Sequence, residues 1–300
     1  MPDVWLNGAF VPEDSAQIDA RDGGLLHAAG AFTTMRAAGG SVFRLDAHLR
    51  RLRNSCEALY IPLPHGNAAL ANAVAELLER NELQDARLRL TVTRGQSGVD
   101  PLHGEVHRPT VLLTAGPSTP YPAEFYEKGM TVLLNSEQKA NPYDLQAGHK
   151  TLNYFSRLAA LREAARRGAG ESLWFNVHNF LQSGSVCNVF IVEEGRLITP
   201  PTNDDLADEA VKRSCPYAKS NVLPGVVRGW AMERAKADGL DVQRLPIDVN
   251  RLLAAGEVFL TNSIMGVMPA TRLEQSVVGD GTPGPVTRGL MEAFNEVLAS

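Results

Sequence analysis

Apolar positions along the 300-residue chain alternate between a period of two and a period near 3.6, and the changes of period mark out its elements. Val4-Trp5-Leu6 and Ala9-Phe10-Val11 flank Asn7-Gly8, a pair that readily takes positive φ at both turn positions, so a β-hairpin opens the chain. Leu45, Leu49, Leu52, Cys56 and Leu59 recur at helical spacing, which predicts a helix over 45–60 with Asp46 as its N-cap. Residues 67–81 read as an alanine-rich amphipathic helix, 87–93 as an alternating half-buried strand and 110–115 as another strand. The run from Gly116 to Pro122 carries three prolines, each of which removes a backbone donor and restricts its predecessor, so regular structure stops there.

The second half shows the same mixture. A strand over 130–134 precedes a helix with Tyr154, Leu158, Leu161 and Ala165 on one face, ending near Gly168. A strand over 173–177, a hairpin over 189–199 turning at Glu194-Gly195 and a helix over 226–238 follow. The run from Glu257 to Pro269 reads as a buried strand breaking into a polar turn, and Gly284-Pro285 starts a last helix. The stretch 203–220 has no regular pattern and reads as a loop.

Length exceeds one typical hydrophobic core, so two domains are expected: 1–116, a linker over 117–124, and 125–300. The apolar fraction of 44% and charged fraction of 21% suit an ordinary soluble protein. A net charge of −5 with both signs interspersed offers no basic stripe for a nucleic-acid backbone. No apolar run nears the roughly 18 residues of a membrane span, and the N-terminus lacks a basic region followed by an apolar core, so a cytoplasmic location is expected. Cys56, Cys187 and Cys215 are widely spaced with no C-x-x-C pair, which argues against a disulfide framework and against zinc.

Candidate chemistry centres on Lys150 in His149-Lys150-Thr151-Leu152-Asn153-Tyr154. A lysine facing a cavity loses stability as ammonium, and the neutral amine can attack an aldehyde. Arg51, in His48-Leu49-Arg50-Arg51-Leu52, offers a guanidinium fork suited to a phosphate. Leu223-Pro224-Gly225-Val226-Val227-Arg228 leads a glycine turn into a helix N-terminus, whose orphan N–H groups and dipole make an anion site.

These motifs, with Phe32-Thr33-Thr34, Ser183-Gly184-Ser185 running on to Asn188 and Phe190, and the turn at Thr261-Asn262-Ser263, occur in the order and over nearly the whole length of the fold type IV pyridoxal-phosphate enzymes. The chain resembles that family, which comprises the class IV aminotransferases and the aminodeoxychorismate lyases. The resemblance implies an α+β fold of two domains, a small N-terminal α/β domain and a larger pseudo-barrel α/β domain carrying the lysine, with pyridoxal 5'-phosphate in the cleft between the two domains, and it implies a homodimer. It implies a Schiff base at Lys150, proton handling by Thr33, cofactor contacts from Arg51, Tyr154, Ser183, Leu223, Gly225, Val226, Val227, Thr261, Asn262 and Ser263, and substrate contacts from Arg94 and Met265. Three departures stand out. The family glutamate that holds the pyridine nitrogen protonated is Ser183 here, with Gln182, Asp204 and Asp205 as candidate replacements. Val227 replaces a threonine. The lyases' further carboxylate-binding arginine is missing, which leaves Arg94, His103, His107 or Arg108 for that task.

Phe32-Thr33-Thr34 and the Asn262 turn are similar to the lyase version, so the expected activity is elimination of pyruvate from aminodeoxychorismate to give 4-aminobenzoate, in folate biosynthesis. Two alternatives accompany it: an aminotransferase of amino-acid metabolism acting on D-amino or branched-chain amino acids, and a descendant that binds the cofactor or a metabolite without turnover.

Overall fold

A computed structural model describes residues 1–96, 108–136 and 138–299. The chain divides into two compact units, Met1–Thr119 with His149–Tyr154 and Leu298–Ser300, and Pro120–Gly148 with Phe155–Val297.

Unit one contains β1 (Asp3–Leu6), β2 (Ala9–Pro12), α1 (Gly23–His27), β3 (Gly30–Ala38), β4 (Ser41–Val42), α2 (Leu45–Ala58), α3 (Asn67–Arg80), β5 (Ala86–Thr93) and β6 (Val111–Pro117). The opening hairpin turns where Asn7 and Gly8 both take positive φ, 51° and 100°. Its strands extend an antiparallel sheet ordered β2-β1-β6-β5-β3-β4. Leu49, Leu52 and Cys56 of α2 and Leu70, Val74 and Leu77 of α3 pack with Met35, Leu88 and Leu90 of the sheet into one core. Arg44, not Asp46, is the N-cap of α2. It adopts φ 48° without a side-chain cap, while Asp46 sits in the first turn, where its charge meets the positive dipole end. Buried Asp22 ties the loop ahead of β3 to the sheet, accepting from Gly24 N (2.6 Å), Thr93 Oγ1 (2.7 Å) and Thr110 Oγ1 (2.6 Å).

The segment 149–154 clusters with unit one rather than with the C-terminal part expected to carry it. Backbone pairing is the cause. Phe32 N donates to Lys150 O (2.9 Å), Leu152 N donates to Gly30 O (3.0 Å), and Ala31 bridges Thr151, so the lysine lies extended along the start of β3. Gly30 permits the approach: a Cβ there would stand 2.6 Å from Leu152 Cδ1 and 2.7 Å from Val92 O.

Unit two contains α4 (Ala123–Lys128), β7 (Met130–Leu134), α5 (Phe155–Arg166), β8 (Glu171–Phe175), β9 (Leu181–Gly184), β10 (Asn188–Glu193), β11 (Arg196–Thr199), α6 (Glu209–Ser214), α7 (Val226–Ala237), β12 (Asp241–Arg244), α8 (Val249–Leu253), β13 (Glu257–Asn262), β14 (Gly266–Leu273), β15 (Ser276–Val277) and α9 (Pro285–Ala299). Its mixed sheet runs β12-β11-β10-β13-β14-β7-β8-β9, with β15 on β14. Val132, Leu173, Val189, Ile191, Leu260 and Met268 fill its core.

Two expectations change. The 203–220 stretch holds α6, with a short 3₁₀ turn before it, and its ends are tied by Asn203 Nδ2 to Ser220 O (3.0 Å) and Ser220 N to Asn203 Oδ1 (2.8 Å). The predicted core stripe of α5 is not buried within the chain: Leu158 is 50% exposed, and the helix starts at Phe155, which is 82% exposed. Spacing shows which side of a helix is apolar and is silent on what covers it. The helix does stop as expected, with Gly168 at φ 73°. Among the described residues no helix is long and apolar enough to cross a membrane.

Candidate active site

In unit one the extended pairing to β3 aims the half-buried Lys150 at aromatic rings. Its Nζ donates to Tyr154 Oη (3.2 Å) and lies 4.7 Å from the Phe32 centroid and 5.0 Å from that of Tyr154. Phe32 and Tyr154 meet edge to face at 5.5 Å. The Arg89 guanidinium, on β5 beside β3, covers the same Phe32 ring at 3.6 Å. One aromatic ring thus carries a primary amine and a guanidinium. Burial, then the neighbouring Arg87, holds the Arg89 guanidinium below its ordinary proton affinity, and Tyr154 offsets this.

Strand alternation turns Thr33 the other way, toward α2. Thr33 has no exposed surface, its hydroxyl lies 2.9 Å from His48 Nδ1, and Arg51 Nη2 donates to it at 3.1 Å. With its oxygen accepting from Arg51, the hydroxyl has an O–H to donate to His48 Nδ1, an arrangement that suits a neutral imidazole with its hydrogen on Nε2. Burial foremost, then Arg51 and Lys150, holds His48 well below its usual pKa of 6.5. Burial pushes Arg51 down to about 10, an effect that an anion beside it would reverse.

In unit two the β10–β13 pairing sets Asn188 opposite Thr261. Asn188 Nδ2 donates to Leu223 O (2.9 Å), and a Cβ on Gly225 would overlap Asn188 Oδ1, so the chain turns tightly into α7. Gly225 is the N-cap of α7 and brings no side-chain cap, which leaves the first N–H groups, at Val226 and Val227, to another acceptor. Thr261 Oγ1, in a residue 1% exposed, is buried with no hydrogen-bond partner. An uncapped helix end and an orphaned hydroxyl linked through Asn188 are what a phosphate would satisfy.

The loop after β9 is held by a carboxylate and a guanidinium. Fully buried Glu171 accepts from Ser172 N (2.8 Å), Ser185 N (2.9 Å) and Val186 N (3.2 Å). Arg157 Nη1, from α5, donates to Ser183 Oγ (3.2 Å), Gly184 O (3.0 Å) and Ser185 O (3.4 Å), with its guanidinium 5.3 Å from the Trp174 ring centroid. None of the three expected replacements for the family glutamate stands there. Gln182 is fully buried and spends its amide on Leu181 O and on Asn221 N, and Asp205 pairs with buried Arg228 at 2.7 Å. Asp204 is exposed ahead of the 3₁₀ turn.

Other sequence-predicted roles need correction. Thr33 is locked between His48 and Arg51, without the surface that proton handling at a substrate needs. Met265 is 3% exposed and belongs to the core of unit two, because the turn ahead of β14 points it inward. Asn262 builds that turn, its Oδ1 accepting from Ile264 N and Met265 N at 2.8 Å each while its Nδ2 donates to Val186 O at 3.3 Å, so its amide is spent within the protein. Ser263 is half-buried at the turn. Arg94 is half-buried with its backbone pinned by Ala29 O (2.8 Å), and Arg108 is exposed. His103 and His107 lie outside the described residues. Sequence reasoning passed over Arg89 and Arg157. The signal for Arg89 is a charge two residues on from Arg87, on a strand whose neighbour carries Phe32; for Arg157 there is none, since its partners come from across the fold.

The family model described as amino-transferase class IV matches residues 30–273. A Methanocaldococcus jannaschii protein with the provisional name branched-chain-amino-acid aminotransferase is 31% identical over 98% of this chain and 96% of its own length. The crystal structure of Escherichia coli branched-chain amino acid aminotransferase superposes with a TM-score of 0.89 at 26% identity, covering 99% of this chain and 94% of that one. The 4-amino-4-deoxychorismate lyase of Pseudomonas aeruginosa gives a TM-score of 0.82 at 28% identity, covering 99% and 100%.

Proposed function

Because the chain belongs to the class IV aminotransferase family, we propose that it moves an amino group between an amino acid with an apolar side chain, branched-chain amino acids among them, and a 2-oxo acid. It is an enzyme, and the family's cofactor is pyridoxal 5'-phosphate. The residues present fit that group. Lys150 would hold its aldehyde carbon, and Arg51 is a counter-charge for its anion. The Val226 and Val227 N–H groups with Thr261 Oγ1 form a cradle for a phosphate, and Leu223 precedes that turn. When bound, the cofactor supplies a carbonyl that takes up amino groups and a ring that accepts electron density as the substrate Cα–H bond breaks.

The observation that carries the reading is the shared Phe32 ring, with the Lys150 amine on it at 4.7 Å and the Arg89 guanidinium at 3.6 Å. An amine for the transferred group and a guanidinium for a carboxylate are the two handles that an amino acid requires. Tyr154 Oη, on Lys150 Nζ, keeps the amine oriented, and the freed Nζ takes and returns the Cα proton. Arg89 fills the carboxylate-binding task that the sequence left open.

The lyase reading loses both of its supports, since Thr33 is sealed from substrate and Asn262 is spent on its turn. One observation still favours it: a cation, Arg157, holds Ser183 where a transaminase has a carboxylate. The two readings separate in one experiment. Cofactor-loaded protein is given L-leucine, L-valine, D-alanine or L-glutamate, each with a 2-oxo acid, and separately aminodeoxychorismate. Amino transfer with at least one donor, lost in Lys150→Ala, is expected; pyruvate release from aminodeoxychorismate with no amino transfer from any donor would replace this proposal with the lyase.

A further inference from the structure

We infer that Arg157 and Ser183 together keep the cofactor's ring nitrogen unprotonated, so that this chain runs its chemistry on a pyridine rather than a pyridinium. The inference rests on the proposed function, in which Ser183 occupies the place of the family glutamate. The direction of the hydrogen bonds carries it. Arg157 has only donors, so Ser183 Oγ accepts from it at 3.2 Å, and the serine's own O–H is left to act as a donor. A ring nitrogen receiving that proton must present a lone pair.

Charge acts in the same direction. A protonated ring nitrogen beside Ser183 would face a guanidinium one hydrogen bond away, and like charges at that range disfavour the charged form. The guanidinium is held in place: Nη1 also donates to Gly184 O (3.0 Å) and Ser185 O (3.4 Å), and the Trp174 ring supports it at 5.3 Å. Glu171, the carboxylate of this region, has no exposed surface and spends both oxygens on the loop backbone and the Cys187 thiol. It is therefore not a substitute for the missing glutamate. Arg157 acts through Ser183 and is a positioning residue. The consequence for reactivity is a weaker electron sink, so proton removal at Cα depends more on Lys150.

The test reads the ring itself. Holoprotein is loaded with pyridoxal phosphate isotopically labelled at the ring nitrogen, and the nitrogen NMR shift is followed as the pH is lowered. The expected result is a downfield, free-base signal in the wild type at neutral pH. That signal should persist to lower pH in the wild type and in Arg157→Lys than in Arg157→Gln, and Ser183→Glu should move it upfield to the protonated position. An upfield signal in the wild type, or superimposable titrations of the wild type and Arg157→Gln, would overturn the inference. Borohydride reduction of the same samples keeps the two proposals distinguishable. A pyridoxyl group trapped on Lys150 with an upfield ring signal sinks this inference alone, whereas no trapped group sinks the proposed function with it.

Discussion

His48 is a residue whose charge the fold resists. It has no exposed surface, its Nδ1 is hydrogen-bonded to the Thr33 hydroxyl, and its Nε2 is buried without a hydrogen-bond partner. Folding depresses its pKa well below 6.5, so in the window from about 6.5 downward the unfolded chain binds the proton and the folded chain does not. Stability should therefore fall as pH drops through that window, by at most about 1.4 kcal/mol per pH unit for one proton. Urea midpoints at neutral and mildly acidic pH test this, and His48→Gln should flatten the dependence. Arg89 makes a different prediction. If its guanidinium holds the substrate carboxylate, Arg89→Met should raise KM for the amino acid roughly ten- to a hundredfold, the worth of a hydrogen bond to a charged group, with a smaller effect on kcat. Equal loss with every donor, including amines that lack a carboxylate, would remove Arg89 from that role. At this scale Lys150 and Arg51 stand out in the sequence as candidates because a motif surrounds each one. Arg89 and Arg157 were not, because what gives each its meaning, the Phe32 ring or the Ser183 hydroxyl, comes from another element.

At the scale of elements, local rules read well wherever the backbone itself is constrained. Asn7-Gly8 and Glu194-Gly195 turn hairpins with positive φ, and Gly168 stops α5. The rules failed where a tertiary partner decides. The helix expected to include Tyr154 starts only at Phe155, after the Lys150 segment has run extended along β3, and α5 leaves Leu158 half exposed. The turn into α7 is the element on which the phosphate cradle depends. Gly225→Ala would drive a Cβ into Asn188 Oδ1 and displace the first N–H groups, so cofactor should be lost more easily, with its dissociation constant raised about tenfold or more. Gly229→Ala is the control. It lies within α7 with open space around its Cα, so it should leave cofactor affinity unchanged and stabilise the protein by about 0.4–1 kcal/mol. Equilibrium dialysis of the two variants, alongside a thermal melt, decides whether the effect belongs to the cradle.

For the whole molecule, length and the three prolines after residue 116 pointed to two bodies, and the motif order pointed to one family across nearly the whole chain. What the sequence could not convey is that six residues from the middle, 149–154, rejoin the N-terminal unit, since that depends on Gly30 admitting Leu152 from far along the chain. The proposal of amino transfer over elimination also rests on three-dimensional features, the burial of Thr33 and the placing of Lys150 and Arg89 on one ring. All of this depends on one amine carrying the cofactor. Purified protein incubated with pyridoxal phosphate, reduced with borohydride and digested should yield a single pyridoxyl-modified peptide containing Lys150, and pre-treatment with an accepted amino acid should abolish the label. Modification spread over surface lysines, or a label on Lys150 that survives every amino donor, would contradict the account.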